Sequence, residues 1–234
     1  MRTLSVLLVL LLFAASAFAE KAATRTCRIL FLEAPASAPK KLFLFDGATS
    51  QEVELPSMNF SPAYEIAGGR TGVSLLPAPV AKPEEIPAGA PMVAIPESFS
   101  DCYLILSSDP ANKIAPVRIQ LVDASVGKFK NGQMLWFNLT KNMIVGQIGT
   151  RALRLSPSAK KITGAPASSA SSYAAKIGYV IPGEKTVRPI FETQWQHNPR
   201  TRMVMFIFEQ TPNAAPRVMG FSDFRLKEKD ASQP

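Results

Sequence analysis

Nearly every apolar run in this 234-residue chain is short, alternates with polar residues and ends at Gly, Pro, Asn, Asp or Ser. That pattern is the signature of strands. The first half carries Cys27–Leu32, Lys41–Phe45, Glu52–Leu55, Ala63–Ile66, Gly72–Leu76, Met92–Ile95, Cys102–Leu106 and Val117–Val122, with no helical periodicity. The second half carries Met134–Leu139, Met143–Gly149, Ala152–Leu155, Tyr173–Ile181, Val187–Phe191, Met203–Phe208 and Val218–Phe221. Strands this short, roughly eight to twelve residues apart with Pro- and Gly-rich turns, predict an all-β chain of two β-sandwich-like domains with mostly antiparallel strands.

Turn chemistry supplies the punctuation. Asp46-Gly47 marks a reversal, because glycine accepts a positive φ. Residues 77–91 hold five prolines in fifteen positions, which favours an extended surface crossing within the first domain. The domain boundary is placed near Lys128–Gly132, giving an N-terminal β domain over 20–127, a C-terminal one over 128–226 and a solvated tail over 227–234. The segment 156–172, rich in Ser and Ala, reads as a mobile polar loop. In each half an aromatic-bearing strand, a polar turn and a second strand are followed by Ser-Pro, at Ser61-Pro62 and Ser156-Pro157, but the likeness is too faint to define a repeat.

Met1–Ala19 has the three parts of a secretory signal: Arg2, the apolar core Leu4–Phe13, and Ala17-Phe18-Ala19 ahead of Glu20. The core is too short for a membrane span, which needs about twenty apolar residues, and no later stretch supplies one. A lipid anchor would need a cysteine at the cleavage site, and the first, Cys27, lies eight residues past Ala19. An exported protein, periplasmic or extracellular, is the expectation. The net charge of +8 falls to +7 when Arg2 is removed with the signal. Scattered Lys and Arg keep β surfaces soluble and guard sheet edges, and no block of five or six like charges points to nucleic acid.

Cys27 and Cys102 are the only cysteines, and in an oxidising compartment they are a natural disulfide pair. A redox motif would want C-x-x-C spacing, and two distant cysteines with the single histidine, His197, do not complete a zinc shell. No cofactor or metal is expected. The densest cluster of versatile side chains is Glu192–Arg202. It reads in two ways: as a recognition loop with Trp195 as stacking platform, His197 beside it and Arg200 and Arg202 as anion clamps, or as a hairpin turn whose tryptophan covers the core edge. A serine hydrolase would have to use His197 and lacks the G-x-S-x-G elbow. Ser158-Ala159-Lys160-Lys161 matches S-x-x-K only formally, beside Pro157 and without its companion motifs. The carboxylates Glu33, Glu65, Glu192 and Asp223 are scattered, leaving a glycosidase-like pair unassigned. Asn59-Phe60-Ser61 and Asn138-Leu139-Thr140 fit glycosylation sequons, the second inside an expected strand.

The segment 135–162, with LWFNLT followed by VGQIGTRALRLSPSAKKI, resembles secreted bacterial all-β proteins in which a strand ending N-L-[ST] leads through a Gly-bearing turn to L-x-L-x-P-G. Ser158 stands where that pattern has glycine. The resemblance implies an envelope or extracellular β-sandwich module and transfers no functional residue. The expected function is therefore an exported, non-catalytic protein with a structural or protein-interaction role, its partner an envelope protein. The alternative is a module binding a surface polysaccharide or polyanion through residues 192–202.

Overall fold

The computed structural model describes residues 25–211 and 214–224. The expected signal segment 1–19 and the expected tail 227–234 lie outside the described residues. The first half contains β1 (Arg25–Phe31), β2 (Lys41–Phe45), β3 (Ser50–Glu54), β4 (Tyr64–Ile66), β5 (Thr71–Leu76), β6 (Met92–Ile95), β7 (Asp101–Ser108) and β8 (Val117–Asp123). The second contains β9 (Met134–Asn138), β10 (Met143–Ile148), β11 (Arg151–Leu155), β12 (Lys160–Thr163), β13 (Ser171–Val180), β14 (Arg188–His197), β15 (Thr201–Phe208) and β16 (Arg217–Phe224).

These strands form four sheets, ordered β4-β1-β7-β8 and β3-β2-β5-β6 in the first half, β12-β9-β15-β16 and β11-β10-β13-β14 in the second. Strand for strand, the second pair of sheets repeats the first. The parallel pairings recur at the same place, β1 with β7 and β9 with β15, in sheets otherwise antiparallel. The chain is a tandem repeat of one eight-strand topology. Ser61-Pro62 and Ser156-Pro157 fall between the third and fourth strands of their respective halves, so the faint likeness in sequence marks equivalent turns.

Three apolar clusters order the sheets into layers. One, with Ile29, Leu104 and Leu106 facing Leu44, Val73 and Leu75, fills the first sandwich. Another, with Trp136, Met205 and Ile207 facing Leu153, Ala175 and Ile177, fills the second. Between them, Leu30, Tyr103, Ile105 and Val122 of the β1-β7 sheet pack on Leu135, Phe137, Val204 and Phe206 of the β9-β15 sheet. The two inner sheets are thus covered on both faces. This explains the unbroken apolar runs of β7, β9 and β15, since parallel strands sit where both faces are buried. The outer strand β11 alternates instead, with Leu153 and Leu155 inward and Ala152 and Arg154 outward. At the seam, Phe137 stacks on Phe206 at 4.9 Å and Phe60 on Tyr103 at 4.6 Å.

Two expectations need correction. The loop expected over 156–172 contains the edge strand β12, which pairs with β9 from Lys160↔Phe137 to Thr163↔Met134. Its sequence, KKIT, is polar because an edge strand is largely solvated, so periodicity misses it. The segment 192–202 is neither a loop nor a hairpin. Strand β14 continues to His197 and pairs with β13, whereas β15 pairs with β9 and β16, so the turn at 198–200 carries the chain from one sheet to the other. The proline-rich crossing does join β5 to β6 within the first half, through a short 3-10 turn at Pro83–Glu85.

Candidate functional site

The two halves differ at the mouth of the sandwich, between the last strands of its two sheets. In the first half that mouth is closed, because the four-residue β6 runs against β8. In the second half the equivalent strands are β14 and β16, and β14 has ten residues. Between these two edges lies a cleft of about 510 Å³ whose walls include Phe191 and Trp195 on one side and Met203, Met205, Val218 and Gly220 on the other. Glycine at 220 keeps it open: a Cβ there would stand 2.8 Å from the Met205 sulfur. Thr193, Gln194 and Gln196, all exposed, supply polar groups at the rim.

Trp195 is half-buried in this wall. Its ring lies near-parallel to buried Trp136 at 6.3 Å, meets Phe191 at 5.2 Å and takes Tyr173 edge-on at 6.2 Å. His197 shares the inner face of β14, with the Tyr173 ring between it and Trp195. Burial pushes the imidazole below its usual pKa, and its Nε2 is buried without a hydrogen-bond partner. Burial also pushes the Tyr173 phenol up to about 12.

The two arginines of the cluster are not brought together. Arg200 is exposed in the turn, its backbone N–H donating to the Asn198 side chain. Arg202, 1% exposed, points into the seam between the halves and does not face solvent as an anion clamp. It does clamp carboxylates, but this chain's own: Asp223 of β16 at 2.6 Å and Asp101 of β7 at 3.1 Å. It also donates to the carbonyls of Ala124 and Phe129, and it lies over the Phe129 ring at 5.0 Å. Arg28 reaches Asp223 at 3.2 Å, Tyr103 donates its hydroxyl proton to Asp223, and Thr26 donates to Asp101. The register explains the inward turn: Val204 and Phe206 share the Arg202 face of β15 and pack into the seam, while Met203 and Met205 face the cleft.

Cys27 and Cys102 are register partners on neighbouring parallel strands, and both are buried. Burial, then the adjacent Cys102, holds the Cys27 thiol well above its ordinary pKa. Among the described residues no group of three His, Cys, Asp or Glu side chains could hold a metal ion. No described helix is long and apolar enough to cross a membrane. Asn138, in the second sequon, is fully buried, donating to the carbonyls of Asn142 and Ser156 while accepting from Thr140. Its side chain is structural.

Charge divides with the fold. Residues 25–123 carry eight Lys and Arg against eleven Asp and Glu, a net −3, whereas 124–224 carry thirteen against four, a net +9. Lys128, Lys160 and Lys161 gather at a second cleft, about 300 Å³, beside Val122, Leu135 and Ile162 on one side of the seam. Sequence reasoning singled out Trp195 and His197 but not the residues on the opposite wall of the cleft. The available signal was the methionine alternation in MVMFIF, Met203 and Met205 sharing one face of β15. Comparison with known proteins adds no assignment: no family model matches this chain, and no curated protein does.

Proposed function

We propose that this is an exported, non-catalytic binding protein of the cell envelope or exterior, and that it takes an extended segment of another polypeptide into the open mouth of its second sandwich. The observation that carries this reading is the contrast between two halves of one topology: one mouth is closed by its own strands, the other is an apolar cleft between two edges. Each of β14 and β16 ends its sheet and pairs on one side only. An unpaired edge offers backbone donors and acceptors to a strand, and an adjacent apolar slot reads alternate side chains of that strand. The signal-like first nineteen residues support export.

A glycan is the second reading, favoured by a half-buried Trp195 beside Gln194 and Gln196, since aromatic faces with amide side chains suit sugar rings. One experiment separates the two. Protein comprising residues 20–234 is titrated with a library of ten-residue peptides of alternating apolar pattern and with a glycan panel, at two salt concentrations, reading tryptophan emission and amide exchange along β14. Peptide binding that protects β14 amides and is lost in Thr193→Arg, where an exposed wall residue is made to block the slot, supports strand addition. Glycan binding without amide protection supports the second reading. Silence from both panels, or binding indifferent to Thr193→Arg, removes the cleft as the site.

A further inference from the structure

Beside the cleft, where the ends of β14 and the starts of β9 and β15 converge, lies a smaller cavity of about 170 Å³ whose lining includes His197, Met134, Met203, Tyr173, Ser222 and Gly132. Three of these carry soft or borderline donor atoms, and three separate features bring them together. Met134 and Met203 are register partners on adjacent parallel strands, so their side chains leave the same face of the sheet next to each other. His197 comes from the facing sheet, on the inward side of β14 opposite Ser171. Gly132, at φ +79°, lies against the imidazole: a Cβ there would sit in van der Waals contact, 3.4 Å from Cε1 and 3.6 Å from Nε2.

The polar inventory of the cavity is unusual. His197 is only 7% exposed, and its Nε2 has no hydrogen-bond partner. A buried ring nitrogen left unpaired costs about 1–3 kcal/mol, so such a group calls for a ligand or another explanation. The thioethers are already oriented. Tyr173 points its hydroxyl at the Met134 sulfur at 4.0 Å, and Ser222 points its hydroxyl at the Met203 sulfur at 3.2 Å. Each sulfur has a further lone pair, and methionine side chains readjust readily. No carboxylate lines the cavity, because Asp223 faces the seam on the opposite side of β16.

We infer that His197 Nε2 and the sulfurs of Met134 and Met203 form a binding site for a soft monovalent metal ion, Cu(I). One imidazole nitrogen and two thioethers are neutral, soft-to-borderline ligands, the set that selects Cu(I). The same set disfavours calcium and magnesium, which want hard oxygens, and zinc, which wants thiolate, imidazole or carboxylate. The site is independent of the peptide reading, although Met203 also lines the larger cleft.

The test is an anaerobic titration of residues 20–234 with Cu(I) against a chromogenic Cu(I) chelator. In parallel, Ag(I), a redox-silent analogue, is added to protein labelled with 13C at the methionine methyls. One equivalent should bind. The Met134 and Met203 methyl resonances should shift together with the His197 ring, while exposed Met58 and Met92 stay in place. Met134→Leu and Met203→Leu conserve volume, and each should weaken binding at least tenfold, since even outer-sphere partners of a metal are worth about 10–100-fold. His197→Gln should do the same. Melting curves without metal verify that each variant is folded, and the two leucine variants carry the test should His197→Gln unfold. The inference is overturned if no Cu(I) binds, if affinity survives Met134→Leu with Met203→Leu, or if binding disappears with Cys27→Ala and Cys102→Ala while the methionines do not respond.

Discussion

Replacing Arg202 by methionine tests how the halves are held together. The guanidinium is 1% exposed and faces Asp223, whose side chain is fully buried, and Asp101, 7% exposed, so the substitution removes the cation from a pocket containing two carboxylates. Breaking a buried pair by deleting one partner costs about 3–5 kcal/mol, because the surviving charge stays desolvated. Arg28 still reaches Asp223 and Thr26 still reaches Asp101, which places the loss near the lower end, about 3 kcal/mol. For a chain of this size each kcal/mol moves Tm by about 2–4 °C, so a fall of about 6–12 °C is expected. Lys176→Ala is the control: its pair with Glu192 is 66% and 70% exposed, and such pairs are worth less than about 1 kcal/mol. Urea unfolding followed by far-UV circular dichroism gives both numbers. Because Asp101 belongs to the first half and Arg202 to the second, a double-mutant cycle with Asp101→Asn measures coupling across the seam directly. A loss below about 1 kcal/mol for Arg202→Met, or a cycle with no coupling, would refute the view that this network joins the halves.

Other consequences follow from particular side chains. Ser158 sits at φ +55°, where a non-glycine residue is strained, so Ser158→Gly should raise stability by up to about 1 kcal/mol, read as a higher urea midpoint at unchanged m-value. Burial pulls the Asp46 carboxyl up, but backbone N–H groups of Thr49, Ala48 and Ala67 and the Thr49 hydroxyl outweigh it and leave the pKa below 3.8. A depressed folded pKa gives stability that is present above the unfolded value and lost as pH falls through the folded one, so Asp46→Ala should flatten the acid limb of stability below about pH 4. Cys27 and Cys102 are buried, and the Cys27 thiol is held protonated, so the native reduced protein should resist thiol reagents while the urea-unfolded protein reacts at both. Folding under an oxidising glutathione couple should join them, adding about 4 kcal/mol in the chain-entropy account; a reduced pair after such refolding would count against the disulfide.

The fold was largely legible because its strands follow the rule of period two or of full burial. Run after run in Cys27–Leu32, Met134–Leu139 and Met203–Phe208 announces a strand, and their lack of polar alternation reflects two covered faces. What sequence could not carry was pairing. Nothing local to Thr201–Phe208 says that it lies parallel to Met134–Asn138 and not against the preceding strand, so the turn at 198–200 looked like a hairpin. Strand β12 was invisible because three of its four residues are polar. At the candidate site, Trp195 and His197 stood out by rarity, whereas Met203, Val218 and Gly220 are ordinary residues that matter only through the face on which the sheets place them. Arg202 misled for the same reason: close to Trp195 in sequence, it lies on β15 of the other sheet, on the face that Val204 and Phe206 pack into the seam.

The repeat gives that difference of faces a meaning. Both halves use a central parallel pair whose one face fills its own sandwich and whose other face fills the seam, so neither half can lose its partner without baring apolar surface such as Leu30, Tyr103, Phe137 and Phe206. Stability constrains the inner sheets of both halves alike. The outer edges are free of that constraint, and there the halves diverge: β6 is short and closed onto β8, whereas β14 is long, exposed and set across a cleft from β16, in the half that also carries the basic excess. Under the proposed function, a repeated scaffold that is closed in one copy and open in the other separates the work of holding the fold from the work of binding. Closing the second mouth should therefore abolish binding while leaving the seam, and the cooperative unfolding it supports, unchanged.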